Sequence, residues 1–334
     1  MSRAITTPRI LLSTHTANEL VPQLEEIFGR GGYTLVTAKD IHEGTADADI
    51  CFVSREITGS STKQNILPDT QYFYDALRAS KDLQWIQIHS AGADRQIYLD
   101  LMARGVMLTT SSGASASLVA QTALTGLLSL SRRFPQLAAA QRAHIWAPFF
   151  KTGLPPDLEG QNVMIVGWGP IGQKLSAWLR ALGLNIIVVR QSAEALIEDV
   201  DVISFADFNA TLPQTDWLVL ACPLTEKTTN LVSAQALSLM KPSAHIINIS
   251  RGAVIDEPAM IDALKNNRLA GAYLDVFAQE PLAADSELWD LSNVIATPHT
   301  AGFSDGILKR MSQMFIQNLK NWHAKKPLFN VVNK

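Results

Sequence analysis

The sequence QNVMIVGWGPIG at residues 161–172 decides the fold. Residues 162–167 form a short apolar run, which is typical of a strand buried inside a parallel sheet. Residues 170–182 follow with the apolar spacing of an amphipathic helix; Pro170 suits its first turn, and Gly183 follows its end. The segment therefore predicts a strand, a tight turn and a helix within an α/β fold.

The glycines of this turn have the spacing G-x-G-x-x-G, a dinucleotide fingerprint when it follows a strand and opens a helix. They allow the tight turn, close approach of a pyrophosphate, and close packing of the helix on the strand. The amino end of the helix then offers N–H donors and a positive dipole to the phosphates. The predicted cofactor-binding residues here are Gly167, Trp168, Gly169, Pro170, Ile171 and Gly172.

The residue that closes the second strand, at 185–189, indicates which dinucleotide binds. An NAD site usually carries an acid about 20 residues along, which binds the ribose hydroxyls. Here Arg190 stands 18 residues after Gly172 and is followed by Gln191 and Ser192. A guanidinium binds a 2′-phosphate, and no acid is present to repel it. We predict that these three residues bind the cofactor, with NADP(H) preferred and NAD as the weaker alternative.

Strand-like runs alternate with helical patterns along the rest of the chain, which predicts parallel sheets in two lobes. Strands are predicted at 9–12, 34–37, 50–53 and 85–89 in a smaller N-terminal lobe, and at 217–221, 245–249, 272–277 and 294–296 after the fingerprint. Helices are predicted at 233–240 and 257–266, with two long helices at 116–134 and 307–324 that join the lobes. Residues 54–69 are polar, with Gly, Ser and Pro, and are predicted as a loop.

The composition is that of an ordinary globular protein: 334 residues, 47% apolar and 18% charged, with a net charge of −3. This charge gives no basic field for nucleic acid or an anionic membrane. Cys51 and Cys222 have neither metal-ligand spacing nor the density of a disulfide framework. No apolar run approaches the ~18 residues of a membrane span, and residues 10–12 are too short a run for a signal peptide. We expect a cytoplasmic protein without a metal site.

Three segments that follow predicted strands carry charged side chains, at the strand ends where open α/β sheets bind ligands. They contain Arg251, Glu280 and His299. A 2-oxo acid needs a cation for its carboxylate and carbonyl oxygen, and an acid that protonates this oxygen during reduction. Arg251 suits the first task and His299 the second, while Glu280 would orient His299 and keep it protonated. The sequence thus predicts reduction of a small 2-oxo acid.

At these residues the chain resembles the D-isomer-specific 2-hydroxyacid dehydrogenases, from about residue 85 to about residue 302. The matching motifs are GWGPIG (167–172), ACPLT (221–225), NISRGAVIDEPAMIDAL (248–264), LDVFAQEP (274–281) and TPHTAG (297–302). The resemblance implies that Arg251 binds substrate, that His299 donates the proton to give a D-2-hydroxy acid, and that Glu280 is the partner of His299. It also implies a substrate-binding group, Ser90, Ala91, Gly92 and Ala93, and further cofactor-binding residues, Cys222, Pro223, Leu224, Ile249, Ser250, Asp275 and His299.

The resemblance further implies two Rossmann-like domains with doubly wound parallel sheets. A central dinucleotide-binding domain would span residues 114–301, and a discontinuous, flavodoxin-like substrate domain would comprise residues 1–113 and 302–334. Members of the family are commonly homodimers through the central domain, so we expect a homodimer. Because Arg190 replaces the usual acid, the most similar subgroup is the NADPH-dependent glyoxylate and hydroxypyruvate reductases.

Other functions are compatible with part of this pattern. A dehydrogenase of a phosphorylated hydroxy acid, such as phosphoglycerate, uses the same groups, and so does phosphite oxidation. A non-enzymatic dinucleotide sensor, resembling the corepressors of this fold, would need the fingerprint but not the complete set of Arg251, Glu280 and His299. Trp146 is either a core residue or reaches the substrate pocket of a partner subunit.

Overall fold

Two compact units make up the structure of the chain, a computed structural model that describes residues 7–62, 65–151, 153–191, 197 and 200–332. One unit consists of Met1–Ala114 and Ser304–Lys334, and the other of Ser115–Phe303. Each unit contains one parallel sheet with helices between its strands. The predicted α/β class with two parallel sheets is therefore confirmed.

The first unit is built on a five-stranded parallel sheet with the order β2-β1-β3-β4-β5. Its strands are β1 (Arg9–Leu11), β2 (Thr34–Val36), β3 (Ile50–Val53), β4 (Trp85–Ile88) and β5 (Met107–Thr110). Its helices in this part of the chain are α1 (Thr14–Phe28), α2 (Ala38–His42), α3 (Arg55–Thr58), α4 (Pro68–Ala79) and α5 (Gln96–Ala103). This strand order is the flavodoxin-like one, in which ligands bind outside the carboxyl ends of the strands.

The second unit has a seven-stranded parallel sheet with the order β12-β11-β10-β9-β6-β7-β8. Its strands are β6 (Asn162–Val166), β7 (Asn185–Arg190), β8 (Asp201–Ser204), β9 (Trp217–Leu220), β10 (His245–Asn248), β11 (Gly271–Leu274) and β12 (Val294–Ala296). Its helices are α6 (Ala116–Ser131), α7 (Phe134–Arg142), α8 (Pro170–Ala181), α9 (Phe208–Thr211), α10 (Ala234–Leu239) and α11 (Glu257–Lys265).

The order of this second sheet places a topological switch point at β6. The chain moves from β6 outward through β7 to β8, and then crosses back to β9 on the other side of β6. A crevice opens at the carboxyl ends of β6 and β9, where open α/β sheets bind dinucleotides. Residues 163–166 are all fully buried because helices cover both faces of the sheet, which explains the uninterrupted apolar run in the sequence.

The chain returns to the first unit through α12 (Ile307–His323). Phe315 of this helix stacks on Phe52 of β3, with ring centroids 4.9 Å apart. Asn318 of the helix also donates a hydrogen bond of 2.9 Å to the buried Gln87 side chain of β4. The predicted helix 307–324 therefore belongs to the core of the first unit, which is made from both ends of the chain.

Three local predictions were wrong. The helix predicted at 116–134 ends at Ser131, and Arg133 has a left-handed backbone (φ 52°) before α7 begins. The predicted loop 54–69 contains α3, and Pro68 already starts α4. Trp146 is 93% exposed, so the core interpretation of this side chain is also wrong.

The helices were also compared with the length and hydropathy of a membrane span. Among the residues that the structure describes, no helix is both long enough and apolar enough to cross a bilayer.

Candidate active site

The three fingerprint glycines occupy the turn from β6 to α8, and each meets a different steric demand. Gly167 has a φ of +103°, and a Cβ there would lie 2.8 Å from the carbonyl oxygen of Ala221. A Cβ on Gly172 would lie 2.4 Å from the carbonyl oxygen of Gly167, so helix and strand pack this closely only with glycine. A Cβ on Gly169, by contrast, would meet nothing within 4 Å. The turn is thus tight on its inner side and open where a pyrophosphate would approach.

The amino end of α8 begins at this opening. Gly169 is its N-cap residue and has no side chain that could cap the helix, and Pro170 occupies the first turn. Both residues are exposed, whereas Trp168 and Ile171 are half-buried against the core of the unit. A helix start with uncapped N–H groups and a positive dipole suits the phosphates of a dinucleotide.

Arg190 is the last residue of β7 and pairs in register with Ser204 of β8. Its side chain is half-buried, and Gln191, which follows it, is exposed. Ser192, which was predicted with them, lies outside the described residues. The guanidinium therefore belongs to the strand next to the fingerprint strand, at the carboxyl edge of the sheet.

The segment after β9 lies on the other side of the switch point. Cys222 is buried, and burial raises the pKa of its thiol to about 11, so the group stays a thiol at neutral pH. Pro223 is exposed, and its carbonyl oxygen accepts a hydrogen bond of 2.7 Å from the Thr228 hydroxyl, which holds the turn. Leu224 is half-buried against the apolar core.

Arg251 follows β10 and is held by polar contacts of its own segment. The buried Asn248 amide accepts hydrogen bonds from the backbone and side chain of Ser250 and donates one of 3.1 Å to the carbonyl oxygen of Arg251. The Arg251 Nη1 donates a 2.7 Å bond to the carbonyl oxygen of Ser250. A Cβ on Gly252 would lie 1.9 Å from the backbone of Phe277, so the Arg251 segment lies directly against the segment after β11. Ile249, which lies between Asn248 and Ser250 in the sequence, is buried.

Glu280 and His299 form an ion pair in the same unit. His299 Nδ1 lies 2.8 Å from Glu280 Oε2, with the side chains 48% and 23% exposed. The other carboxylate oxygen of Glu280 accepts a 3.1 Å bond from the Phe277 amide. Burial raises the pKa of Glu280, but the hydrogen bond and charge of His299, the Phe277 amide and the charge of Arg251 outweigh burial and hold it below its usual value. Because an ionised carboxylate only accepts, Nδ1 is the donor, and Nε2 is left as the ring atom for a substrate.

Asp275 holds the loop that carries His299. Its Oδ1 accepts bonds from the Thr297 hydroxyl (2.7 Å) and the Thr300 amide (2.9 Å), and its Oδ2 accepts one from the Ala301 amide (3.0 Å). Burial raises the pKa of Asp275, and these hydrogen bonds and the charge of His299 oppose that shift. The predicted role of Asp275 in cofactor binding stays a prediction, and each carboxylate oxygen has further lone-pair sites to offer.

The four residues predicted to bind the substrate carboxylate lie in the first unit, directly after β4. The Ser90 hydroxyl donates a 2.8 Å bond to the carbonyl oxygen of Gly92, and the Ser90 carbonyl accepts the Ser111 amide at 3.1 Å. Ala91 is exposed, and Ala93 is half-buried. Their position at the carboxyl end of a strand suits a ligand-binding turn, and their substrate role stays a prediction.

The chain is similar to known proteins over most of its length. Residues 124–301 match the family model of the D-isomer specific 2-hydroxyacid dehydrogenase NAD binding domain. A glyoxylate reductase of Thermococcus litoralis is 32% identical over 266 residues, which cover 78% of this chain and 80% of that protein. The chain belongs to the D-isomer specific 2-hydroxyacid dehydrogenase family.

Two further comparisons extend over nearly the whole dehydrogenase chain. A D-3-phosphoglycerate dehydrogenase of Methanocaldococcus jannaschii is 28% identical over 331 residues, 97% of this chain and 59% of that protein. The crystal structure of a family protein from Aeromonas salmonicida subsp. salmonicida A449 has a TM-score of 0.78 and 26% identity, and covers 98% of this chain and 99% of that one. The predicted family and enzyme class are confirmed: the chain is an NAD(P)-dependent 2-hydroxyacid oxidoreductase, and its cofactor is a nicotinamide dinucleotide.

Several residues that shape the dehydrogenase site escaped the sequence reasoning. Gly252, which brings two site segments together, has no motif of its own beyond its place after Arg251. Tyr273 of β11 and Thr297, directly after β12, are hydrogen-bonded to each other, and Thr297 is bonded to Asp275; the sequence alone does not pair these two strands. The only sequence signal was the TPH tripeptide at Thr297, which marks a loop but not its hydrogen bonds.

Proposed function

We propose that this dehydrogenase reduces a small 2-oxo acid, such as glyoxylate or hydroxypyruvate, to the D-2-hydroxy acid and prefers NADPH. The observation that carries the proposal is the 2.8 Å pair of His299 Nδ1 and Glu280 Oε2, with Arg251 charge acting on the same carboxylate. A carboxylate that fixes the imidazole through Nδ1 leaves Nε2 as a proton donor. The relative from Thermococcus litoralis, named a glyoxylate reductase, supports the substrate class.

Each charged group has one task in the reaction. When bound, the dinucleotide supplies the hydride that reduces the carbonyl carbon. Arg251 binds the substrate and stabilises the negative charge that develops on the carbonyl oxygen. His299 gives its Nε2 proton to that oxygen and becomes neutral, and Glu280 stabilises the imidazolium before transfer. The oxidation of a D-2-hydroxy acid runs these proton steps in reverse.

The residues of the second unit fit a dinucleotide. The opening beside Gly169 and the start of α8 would receive the pyrophosphate. Residues 221–224 and the buried segment 248–250 follow the carboxyl ends of the neighbouring strands. Arg190 ends the strand next to the fingerprint strand, where an acid would bind a ribose hydroxyl. Its guanidinium instead pairs with a 2′-phosphate, which supports the preference for NADPH.

The test is a steady-state assay of NADPH and NADH oxidation against glyoxylate, hydroxypyruvate, pyruvate and larger 2-oxo acids. We expect turnover with at least one small 2-oxo acid, a higher kcat/KM with NADPH, and at least a ~10³-fold loss in Arg251→Ala, since the variant lacks the cation that stabilises the developing charge. A higher kcat/KM with NADH would overturn the cofactor preference. Full activity of the Arg251→Ala variant would overturn the assignment of this arginine.

A second candidate, oxidation of a phosphorylated hydroxy acid, is favoured by the similarity to the phosphoglycerate dehydrogenase over 97% of this chain. It uses the same roles for Arg251, Glu280 and His299. The assay separates the two candidates when 3-phosphohydroxypyruvate is added to the panel. A kcat/KM for this substrate well above that for hydroxypyruvate would favour the phosphorylated class.

A further inference from the structure

A chain of three side chains runs behind the loop that carries His299. The Tyr273 hydroxyl of β11 lies 2.7 Å from Thr297 Oγ1, and Thr297 Oγ1 donates a 2.7 Å hydrogen bond to Asp275 Oδ1. The hydroxyl hydrogen of Thr297 is used on the carboxylate, so its oxygen is the acceptor for Tyr273. Burial raises the pKa of Tyr273 to about 12, so the phenol stays a donor at neutral pH.

This chain ends on the carboxylate that shapes the histidine loop. Asp275 accepts the amides of Thr300 and Ala301, which flank His299 on its C-terminal side, and the Asp275 carbonyl oxygen accepts the His299 amide at 2.9 Å. His299 itself has a left-handed backbone, with a φ of 53°. A non-glycine residue keeps this conformation only when its surroundings hold it there. The hydrogen bonds of Asp275 supply that constraint.

The ring of Tyr273 is fixed by close packing against α6. The residue is 2% exposed, and a Cβ on Gly126 of α6 would lie 2.4 Å from the ring Cγ. The helix approaches the ring this closely only because position 126 is glycine. Thr122, one turn earlier on the same helix, donates a 3.3 Å bond to the carbonyl oxygen of Ala301. This packing therefore fixes the ring in the position from which its hydroxyl bonds to Thr297.

We propose that Tyr273 is a positioning residue for proton transfer: its hydroxyl fixes Thr297 as a donor to Asp275 and thereby holds His299 in its working conformation. The proposal rests on the proposed role of His299 as proton donor. Tyr273 is buried and its hydroxyl bonds to Thr297, so its effect on His299 is indirect. The hydrogen bonds of Tyr273, Thr297 and Asp275 act on the backbone of the histidine loop, whereas the Glu280 contact acts on the imidazole ring itself.

The charge on Asp275 gives this positioning a measurable pH dependence. The titratable groups that act on it are His299 and Tyr273, whereas α6 faces the loop with the uncharged Thr122 and Gly126. Burial already raises the pKa of Asp275, and the Thr297 bond opposes this. When Thr297 loses its own donor, its bond to the carboxylate is less well fixed, and Asp275 takes up a proton at higher pH. The acidic decline of the reductive rate then starts at a higher pH.

The experiment compares Tyr273→Phe, Thr297→Val and Thr297→Ser with the unmodified chain in kcat, KM and pH profile. Tyr273→Phe is expected to lower kcat about three- to tenfold with little change in the KM of the 2-oxo acid, which is up to ~1.4 kcal/mol in the barrier. Its acidic limb should move to higher pH. Thr297→Val should lower kcat and move the acidic limb more strongly than Tyr273→Phe does. Thr297→Ser keeps the hydroxyl, so its kcat and acidic limb should match those of the unmodified chain.

The matched control is Tyr98→Phe, which removes a buried tyrosine hydroxyl that pairs with Tyr74 in the first unit. It should lower stability without moving the acidic limb. Tyr273→Phe with the kcat and pH profile of the unmodified chain would overturn the proposal, and so would an equal shift in Tyr98→Phe. NMR signals of the His299 ring, assigned by their loss in His299→Gln, test the proposal without turnover. A ring signal changed by Tyr273→Phe supports it even if no 2-oxo acid is reduced, and an unchanged signal contradicts it.

Discussion

Glu280 places a negative charge next to His299, because its carboxylate oxygen lies 2.8 Å from His299 Nδ1. The pKa of Glu280 lies below its usual value, so the carboxylate is ionised at neutral pH and is neutralised only as pH falls through that lowered value. At neutral pH the ionised carboxylate therefore faces His299 Nδ1. The isosteric amide keeps the hydrogen bond and removes the charge.

Glu280→Gln should lower reductive kcat/KM at neutral pH, because the amide keeps the contact with His299 Nδ1 and removes the negative charge beside the ring. Charges ~4 Å apart at an effective dielectric near 20 interact by at most ~4 kcal/mol, and the half-exposed imidazole reduces this. We expect about a tenfold loss of reductive rate in a steady-state assay. A reductive rate equal to that of the unmodified chain would contradict the electrostatic role of Glu280.

Arg190→Gln should raise the KM of NADPH about 10- to 100-fold and leave the KM of NADH nearly unchanged. A charge-assisted hydrogen bond to phosphate contributes about 1.5–3 kcal/mol. NADH has no 2′-phosphate, so it makes no such bond with Arg190 and is not affected by its removal. Arg30→Gln is the matched control, because Arg30 is 90% exposed in the first unit and its loss removes the same charge elsewhere. Equal effects of the two arginine variants would show that only net charge matters.

At the scale of elements, two glycines in the turn from β6 to α8 have different tasks, one in folding and one in binding. Gly172→Ala places a Cβ against the carbonyl oxygen of Gly167, which is backbone and cannot rotate away. We expect this variant to lose about 1–3 kcal/mol of unfolding free energy. Gly169→Ala fills open space at the helix start and should leave stability unchanged while it weakens dinucleotide binding. Thermal unfolding and dinucleotide titration of both variants measure the two effects.

The opposite result is equally informative for this turn. If Gly169→Ala bound the dinucleotide as tightly as the unmodified chain, the open side of the turn would not receive the pyrophosphate. If Gly172→Ala kept its stability, the close approach of α8 to β6 would be adjustable.

The same scale shows why some elements could be predicted from sequence. β6 from Val163 onward and the whole of β9 are buried on both faces, so they appear as uninterrupted apolar runs. β8 was missed because it is a short edge strand whose residues are at most half-buried and include Asp201 and Ser204. The break between α6 and α7 falls on Arg133, which adopts a left-handed backbone without the glycine that would announce it.

For the candidate site, the sequence predicted the residues but not how they are arranged relative to one another. Arg251, Glu280 and His299 carry charge at strand ends, so local sequence indicates them. Their mutual geometry depends on contacts between strands, such as the fit of Gly252 against Phe277. A pattern along one segment holds no information on which neighbouring segment it will meet. The hydrogen-bonded chain behind the histidine loop was therefore beyond sequence reasoning.

At the scale of the whole molecule, exposed apolar side chains bear on the expected homodimer. Trp146 is 93% exposed and Phe150 is 90% exposed, and both belong to the second unit, with Ile145 and Leu154 also more than half exposed. These four side chains lie close together in the sequence, and clusters of exposed apolar side chains are typical of protein interaction sites. A second copy of the chain is the expected partner, since symmetric homodimers are the commonest soluble oligomers.

Sedimentation velocity should therefore give a species of about 73 kDa, twice the chain mass of 36.5 kDa. Trp146→Ser combined with Phe150→Ser should weaken the dimer and shift the population toward monomer at micromolar concentration, because aromatic side chains dominate such interfaces. Phe329→Ser, at an aromatic residue 56% exposed in the first unit, is the matched control and should sediment as the unmodified chain does. A monomer at all concentrations would contradict the dimer, and a dimer unaffected by the double variant would place its interface elsewhere on the surface.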